Sequence, residues 1–420
     1  MTTSIKNKKQ ILIFLFFLQL FSAGVNAQLV DSTRMKGLQI KTIHSKLLGE
    51  DRRIYIQSPA NMKPYDAYPV LYVLDGETLT TMIGGQVQYL SEAYKIIPSM
   101  IIVGIENTDR IRDLTPTHSI QGPDGKPDTS ANAFGKNSGG GEKFLQFIKT
   151  ELMPIIESSY RTVPYKIFAG HSLGGLMAVS CLISHPDYFN AYIAISPSLQ
   201  WDNGIILRQV AEKSVSNNKI LFFSDANEDD AFHKNQLKLD SLFKQKNLDG
   251  FIYKRFFYPE ETHLSEPVKA FYDGLRLVYP NWYLPYNSSA FKKSMTSKMI
   301  LDHYRELTKK YGYNVVPPLD EINQISRFLR NDPKRIQDAI ELLKMNAINF
   351  PSSAATQEIL GDTYLKAGDP KNALISYQKA SAIDPKNEKL LQKIKSYFIR
   401  SFFQLIVTHQ CNFSTRINTS

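Results

Sequence analysis

The stretch Ala169-Gly170-His171-Ser172-Leu173-Gly174-Gly175 lies between two apolar runs. Tyr165-Lys166-Ile167-Phe168 precedes it and Leu176-Met177-Ala178-Val179 follows it. The first run reads as a buried strand and the second as a helix, so the stretch is a strand–turn–helix junction. A serine that must stand clear of the helix at the top of a sheet needs a strained backbone. It also needs no side chain crowding the positions two residues either side. Gly170 and Gly174 meet that need, and Gly175 lets the helix pack close to the sheet. The helix start offers free N–H groups and a positive partial charge to an oxyanion. A glycine-rich turn with an incidental serine has the same local pattern. What separates the two readings is whether a base and an acid follow.

Working outward, strand-like and helix-like segments alternate from about Ile40 to Tyr279. Pro69-Val70-Leu71-Tyr72-Val73-Leu74 is a continuous apolar run, and Ile101-Ile102-Val103-Gly104-Ile105 is another. The segments 166–169, 191–195, 220–223 and 251–257 follow. Such runs suit strands buried on both faces of a parallel sheet. Ile54-Tyr55-Ile56 has polar neighbours on both sides and reads as a short edge strand. Between strands, Phe144, Phe147, Ile148 and Leu152 recur at helical spacing, as do Leu239, Leu242 and Phe243. The expected fold class is α/β, with helices on both faces of the sheet. The segment from Glu106 to Glu142, rich in Gly and Pro, breaks the pattern at a strand's C-terminal end, where open α/β sheets bind ligands. It is expected to form one wall of a substrate cleft.

A serine hydroxyl is a poor nucleophile unless a base takes its proton. In this kind of fold the acid and then the histidine follow the serine along the chain. His263 follows the last strand and precedes a helix expected over 266–278, the position the base requires. His233 is the rival, with an exposed helix position as its ordinary explanation. His185 reads as the cap of the helix after Ser172, and His303 and His409 fall outside the sheet. The acid is expected in the loop Ser224-Asp225-Ala226-Asn227-Glu228-Asp229-Asp230. Glu228 is the first choice, with Asp229 and then Asp225 as alternatives. Each carboxylate there also serves as a helix cap or first-turn charge. The same acidic run with His233 does not have the spacing of a known metal site, so no metal is expected.

With these residues in view, the chain resembles the esterase family of α/β-hydrolases that includes esterase D, enterochelin esterases, some feruloyl esterases and the mycolyltransferases. The resemblance covers roughly residues 40 to 280. It rests on Tyr68-Pro69-Val70-Leu71-Tyr72-Val73-Leu74-Asp75-Gly76-Glu77, on Asp109-Arg110-Ile111-Arg112-Asp113-Leu114-Thr115-Pro116 and on Gly170 to Gly175. Ile195-Ser196-Pro197-Ser198 and Glu261-Thr262-His263 complete it. It implies an α/β-hydrolase sheet in which the backbone N–H of Glu77, at the Asp-Gly-x turn, joins that of Leu173 in binding the oxyanion. Two departures stand out. The family's Trp-Trp pair after Ser-Pro-Ser-Leu is Gln200-Trp201 here, and its usual glycine in the acid loop is Ala226. Trp201 and the long loop are expected to contribute to substrate binding.

The ends of the chain read differently. Lys6, Lys8 and Lys9 precede an apolar stretch from Ile11 to Phe21, and Val25-Asn26-Ala27 fits a cleavage site. Residues 1–27 are therefore expected to be a signal peptide, with the mature protein periplasmic or secreted and no stable membrane span after cleavage. The 420-residue chain carries a net charge of +10, but its basic residues are dispersed rather than interleaved with aromatics. Nucleic-acid binding is not supported. Cys181 and Cys411 make no disulfide framework, and Cys181 suits a small core position.

Beyond Tyr279 an aromatic-rich connecting segment, 281–330, leads to a repeat pattern. Leu360-Gly361, Tyr364, Ala373, Tyr377, Ala380 and Pro385 have tetratricopeptide-like spacing. A degenerate unit precedes them, with Ala339, Leu343 and Pro351 in register, and Glu388 to Phe403 suits a capping helix. Residues 331–403 are thus expected to form a small all-α repeat module, followed by a tail over 404–420. A plain helical hairpin with coincidental spacing is the ordinary alternative.

The whole reads as an exported serine esterase with its hydrolase domain over 28–280 and no cofactor. Ser172, His263 and Glu228 are its expected catalytic groups. The substrate is a small-molecule or polysaccharide-linked ester, and the repeats offer a surface for protein contact. An acyltransferase of the same fold, or a non-catalytic binding protein using the repeats, would share these features.

Overall fold

The computed structural model describes residues 37–396, apart from 64–65, 122–125, 216, 247–248 and 287. The expected signal peptide, the tail, His409 and Cys411 lie outside the described residues, as does the last part of the expected capping helix.

Eight strands form one sheet in the order β1-β2-β4-β3-β5-β6-β7-β8. They are β1 (Leu38–Ser45), β2 (Glu50–Gln57), β3 (Tyr68–Val73), β4 (Ile101–Ile105), β5 (Thr162–His171), β6 (Ala191–Ile195), β7 (Ile220–Ala226) and β8 (Ile252–Tyr258). The β1–β2 and β2–β4 pairs are antiparallel, and every other pair is parallel. Eight helices follow the strands: α1 (Gly76–Gln88), α2 (Arg110–Asp113), α3 (Gly141–Phe147), α4 (Met153–Ser159), α5 (Leu173–Ser184), α6 (Trp201–Glu212), α7 (Asp230–Lys246) and α8 (Pro267–Val278).

Two apolar layers sandwich the sheet. On one face Tyr72, Phe168, Tyr192 and Phe223 meet residues of α3, α4, α5, α6 and α7. On the other, Leu71, Ile167, Ile193 and Phe222 meet α1 and α8. The central strands β3, β4 and β6 are buried at every position, which explains their unbroken apolar runs. Fully burying one such side chain stabilises the fold by about 1.5–3 kcal/mol. The fold class read from the sequence is the observed one.

Two expectations about the sheet edges are corrected. The strand through Ile54 and Ile56 is β2, an inner strand with both of those side chains buried, and β1 covers its outer side. β1 escaped notice because its exposure is nearly continuous, which leaves no clean alternation. The run 251–257, read as doubly buried, forms the opposite edge, with Ile252 and Phe257 exposed.

Six further helices follow: α9 (Ser289–Ser294), α10 (Ser297–Tyr311), α11 (Leu319–Leu329), α12 (Ile336–Asn349), α13 (Ala354–Lys366) and α14 (Pro370–Ile383). α10 and α11 share the apolar layer of α1 and α8. Tyr165 of β5 packs against Tyr279, Tyr311 and Tyr313, and Trp282 packs against Tyr279 and Tyr311. α12 then bridges, with Ala339 and Leu342 in that layer and Ile340 and Leu343 in a separate cluster with α13. α13 and α14 pack closely because Gly361 has no side chain. A Cβ there would lie 2.5 Å from the Tyr377 ring. Residues 388–396 are helical, and Leu390 packs on Ala373, Tyr377 and Ala380. Among the described residues no helix is long and apolar enough to cross a membrane.

Candidate active site

Ser172 sits between β5 and α5 with φ 61° and ψ −116°, a conformation outside the regions that L-residues ordinarily occupy. Such strain persists only where the surroundings over-determine it. Here Ser172 N donates to Ile195 O at 2.9 Å, and Ser172 O accepts from Leu176 N at 2.9 Å and Ser198 N at 3.1 Å. Gly170 admits no side chain, because a Cβ would meet the backbone of Gly174 at 2.4 Å. A Cβ at Gly175 would lie 2.8 Å from Ile195 O, so the glycine sets how closely α5 approaches β6.

The turn after β3 lies against this elbow. Leu74 N donates to Ala169 O at 2.9 Å, and a Cβ on Gly174 would fall 3.3 Å from Leu74 Cβ. Asp75 adopts the left-handed conformation and starts α1. The start of α1 thus lies close to the start of α5, and the first N–H groups of a helix have no intrahelical acceptor. Leu173 and Glu77 occupy those first turns. The Glu77 side chain is turned aside, with its carboxylate accepting from Asn107 Nδ2 at 2.9 Å.

Sequence reasoning missed what holds this turn. Arg110 donates from Nε to Asp75 Oδ1 at 2.6 Å and from Nη2 to Asp75 Oδ2 at 3.0 Å. The same Nη2 reaches His171 O at 3.3 Å. One guanidinium thus ties the long loop, the α1 start and the elbow together. A second cluster anchors the loop behind it. The buried Arg52 donates to Asp113 at 2.6 Å and Glu50 at 2.8 Å, and Arg112 binds both carboxylates from the other side. The Arg-x-Arg-Asp pattern at 110–113 was visible in the sequence, but its partners come from β2 and the β3 turn.

His263 comes from the loop between β8 and α8. Its ring stacks obliquely on His171, next to the serine, with centroids 4.4 Å apart. Phe232 meets its edge at 5.7 Å. His263 Nδ1 lies 3.0 Å from Glu228 Oε2, short of full hydrogen-bond alignment. Both side chains are partly exposed. Burial, together with the neighbouring His263, pushes His171 down to about 4, so it is neutral at pH 7. Ser172 and His263 are not hydrogen-bonded to each other. The Ser172 hydroxyl instead meets Ser198 Oγ at 3.2 Å. Catalytic hydrogen bonds are commonly slack before substrate arrives.

The alternative acids have other partners. Asp229 accepts from Phe232 N at 2.8 Å, as a cap for α7. Asp225 is fully buried and binds Arg255 through both oxygens, at 2.8 and 2.7 Å, with His233 Nδ1 at 2.8 Å. A guanidinium in that position opposes any metal cation. His185 caps α5 and contacts Glu142 at 2.8 Å.

Trp201 is nearly buried at the start of α6. Its Nε1 donates to Thr117 O at 3.2 Å, and Phe134 meets its ring edge-on at 6.5 Å. Thr117 Oγ1 in turn donates to Asp202 at 2.7 Å. The long loop therefore packs on Trp201, and Phe134 stays largely exposed.

A strained serine at a strand–helix elbow, on a mostly parallel sheet with a histidine and a carboxylate beside it, is the architecture of an α/β-hydrolase of the serine type. Residues 45–248 match the family described as "Putative esterase", a span that includes Ser172 and Glu228 and ends before His263. The ferri-bacillibactin esterase BesA of Bacillus subtilis is 31% identical over 217 residues, which are 48% of this chain and 73% of that protein. An IroE-like serine hydrolase from Shewanella oneidensis superposes with a TM-score of 0.62 at 29% identity. That match covers 75% of this chain and all of the other. An uncharacterised protein from Capnocytophaga ochracea shares the fold over 86% of this chain, with a TM-score of 0.58 at 18% identity. The chain belongs to this esterase family. It is a serine hydrolase that acts on esters.

Proposed function

We propose that the protein is an exported esterase using Ser172 as nucleophile, His263 as base and Glu228 as acid. The observation that carries the reading is the position of His263, stacked beside the elbow with Nδ1 3.0 Å from Glu228. The Ser172 hydroxyl turns from Ser198 toward His263 and attacks the ester carbonyl. His263 takes its proton and passes it to the leaving alcohol. The N–H groups of Leu173 and Glu77 hold the oxyanion. Water then attacks the acyl-enzyme with His263 again as base, releasing the acid and free serine. Glu228 fixes the imidazole tautomer and stabilises the imidazolium.

The proposed substrate is a small-molecule ester of the siderophore type. Likeness to a ferri-bacillibactin esterase supports this class. The long loop, Trp201 and the exposed Phe134 would form the wall that receives the acyl part. Export rests on the pattern of residues 1–27, and the tetratricopeptide reading of 331–403 on the spacing around Tyr377. On this proposal the α12–α14 region is a repeat module available for protein contact.

The direct test is labelling of the mature chain with a fluorophosphonate, alongside Ser172→Ala and hydrolysis of short acyl esters and siderophore trilactones. Labelling and turnover lost together in Ser172→Ala support the reading. A folded wild-type chain that is not labelled, or equal turnover by both proteins, overturns it.

A further inference from the structure

Behind Glu228 lies a second carboxyl that the proposed triad does not use. Ser196 follows β6 with φ 39°, a left-handed conformation uncommon for serine, and its N–H donates to Ser224 O at 2.9 Å. This backbone directs Ser196 Oγ between two acids. It lies 2.6 Å from Glu228 Oε1 and also contacts Glu266 Oε2. Ser196 is fully buried, and so is Glu266, which stands at the start of α8.

Proton counting constrains this arrangement. A hydroxyl has one proton and can donate to only one of the two acids. If both carboxyls were ionised, one would face a hydroxyl oxygen with no proton between them, in a place where an unpaired charge is costly. One acid therefore keeps its proton and donates to Ser196. Glu228 is partly exposed and faces the His263 imidazole. Glu266 is fully buried with no ion pair among the described residues, and the polar groups that act on it most are Ser196, Ser224, Glu228 and Asp225. Its other oxygen, Oε1, has no aligned hydrogen-bond partner. Glu266 is the acid that stays neutral.

We infer that Glu266 and Ser196 are positioning residues, a two-link hydrogen-bond relay that pins the Glu228 carboxylate behind His263. The inference rests on the triad proposed above and extends it. Glu266 donates to Ser196, and Ser196 donates to Glu228 Oε1, which leaves Oε2 directed at the imidazole. Burial pushes Glu266 up to about 7, so that it holds its proton well above the pH at which a free glutamate loses it. The relay also gives the strained Ser196 backbone a purpose, since the left-handed turn is what carries the hydroxyl between the two acids.

Substitutions separate donor chemistry from packing. Glu266→Gln keeps the volume and supplies an amide donor, so kcat is expected within about threefold of wild type. Glu266→Met keeps bulk but removes the donor, and Ser196→Ala removes the middle link. Each is expected to lower kcat by about tenfold or more with KM unchanged, because the substrate touches neither residue. The Ser196→Ala/Glu266→Met double variant should fall no further than either single one, as for members of one network. Melting curves establish that each variant folds. If Glu266→Met does not fold, Ser196→Ala alone decides. Wild-type kcat in folded Ser196→Ala overturns the relay, as does an equal loss in Glu266→Gln and Glu266→Met. If Ser172→Ala retains activity, the triad itself has failed, and that result is read independently of the relay.

Discussion

Two acid–histidine pairs stand within a few residues of each other at the end of β7, and they are built for different tasks. Asp225 and His233 are linked at 2.8 Å, and Glu228 and His263 at 3.0 Å. By distance alone the first pair is the better one. What differs is the third partner. Asp225 is completely buried and its charge is met by both arms of Arg255, so His233 is a minor third contact. Glu228 has no cation bound to it among the described residues. It has a serine hydroxyl behind it and an imidazole in front. The first pair is a neutralised brace between β7, β8 and α7. In the second, on the proposed mechanism, the carboxylate's charge is left available to an imidazolium that forms during reaction. A short contact thus says less about function than what else the carboxylate must satisfy.

The largest effects should mark the division. Ser172→Ala and His263→Ala are each expected to cut kcat by at least about a thousandfold in steady-state ester hydrolysis, whereas His233→Ala should stay within about threefold. Comparable losses at His233 would collapse the distinction. Next, Glu228→Gln should reduce kcat about a hundredfold or more with little change in melting temperature. Asp225→Asn should do the reverse. It leaves Arg255 without its charge partner and is expected to cost about 3 kcal/mol in denaturant unfolding, as broken buried ion pairs do.

A smaller effect concerns pH. Glu266 keeps its proton up to about 7 in the folded chain, against 4.5 when free, under the influence of burial and of Glu228 and Asp225. Between those values the unfolded chain releases a proton that the folded chain retains, so stability falls as pH rises from 4.5 to 7, by roughly 3 kcal/mol in all. Glu266→Gln should abolish that slope in unfolding curves measured across the window. Glu50 has the opposite sign. Arg112 lowers its carboxyl, so its contribution is present above 4.5 and is lost as pH falls through the lowered value. The smallest expected change is at Glu77, whose proposed role is through its backbone. Glu77→Gln should alter kcat less than about threefold.

Much of this was legible in the chain. The elbow was visible because a strained turn demands glycine at fixed offsets, and those glycines are local. The parallel strands were visible because burial on both faces leaves unbroken apolar runs. His263 could be preferred to His233 only from its expected place after the last strand and before a helix, and the structure shows it in that loop. The acid could only be ranked, because Asp225, Glu228 and Asp229 are chemically alike in sequence, and what distinguishes them is Arg255, Ser196 and Phe232 N, each supplied by another segment or another backbone position. The Arg110–Asp75 clamp and the Glu266–Ser196 contact were illegible for the same reason, since they join residues 35 and 70 positions apart. The two edge strands were misjudged because a single chain does not reveal which of its strands has a neighbour.

The tyrosines around Tyr165 have a consequence for anyone dividing this protein. Tyr279, Tyr311, Tyr313 and Trp282 form one packed group with a residue of the central sheet, and α10, α11 and one side of α12 extend the layer that α1 and α8 begin. A chain cut after residue 280 would leave Tyr165 and its neighbours facing water, an adhesive patch on an otherwise finished enzyme. Residue 280 is therefore a poor place for scissors, and a shortened version worth making would keep every helix that shares this layer, α12 with its Ala339 and Leu342 included.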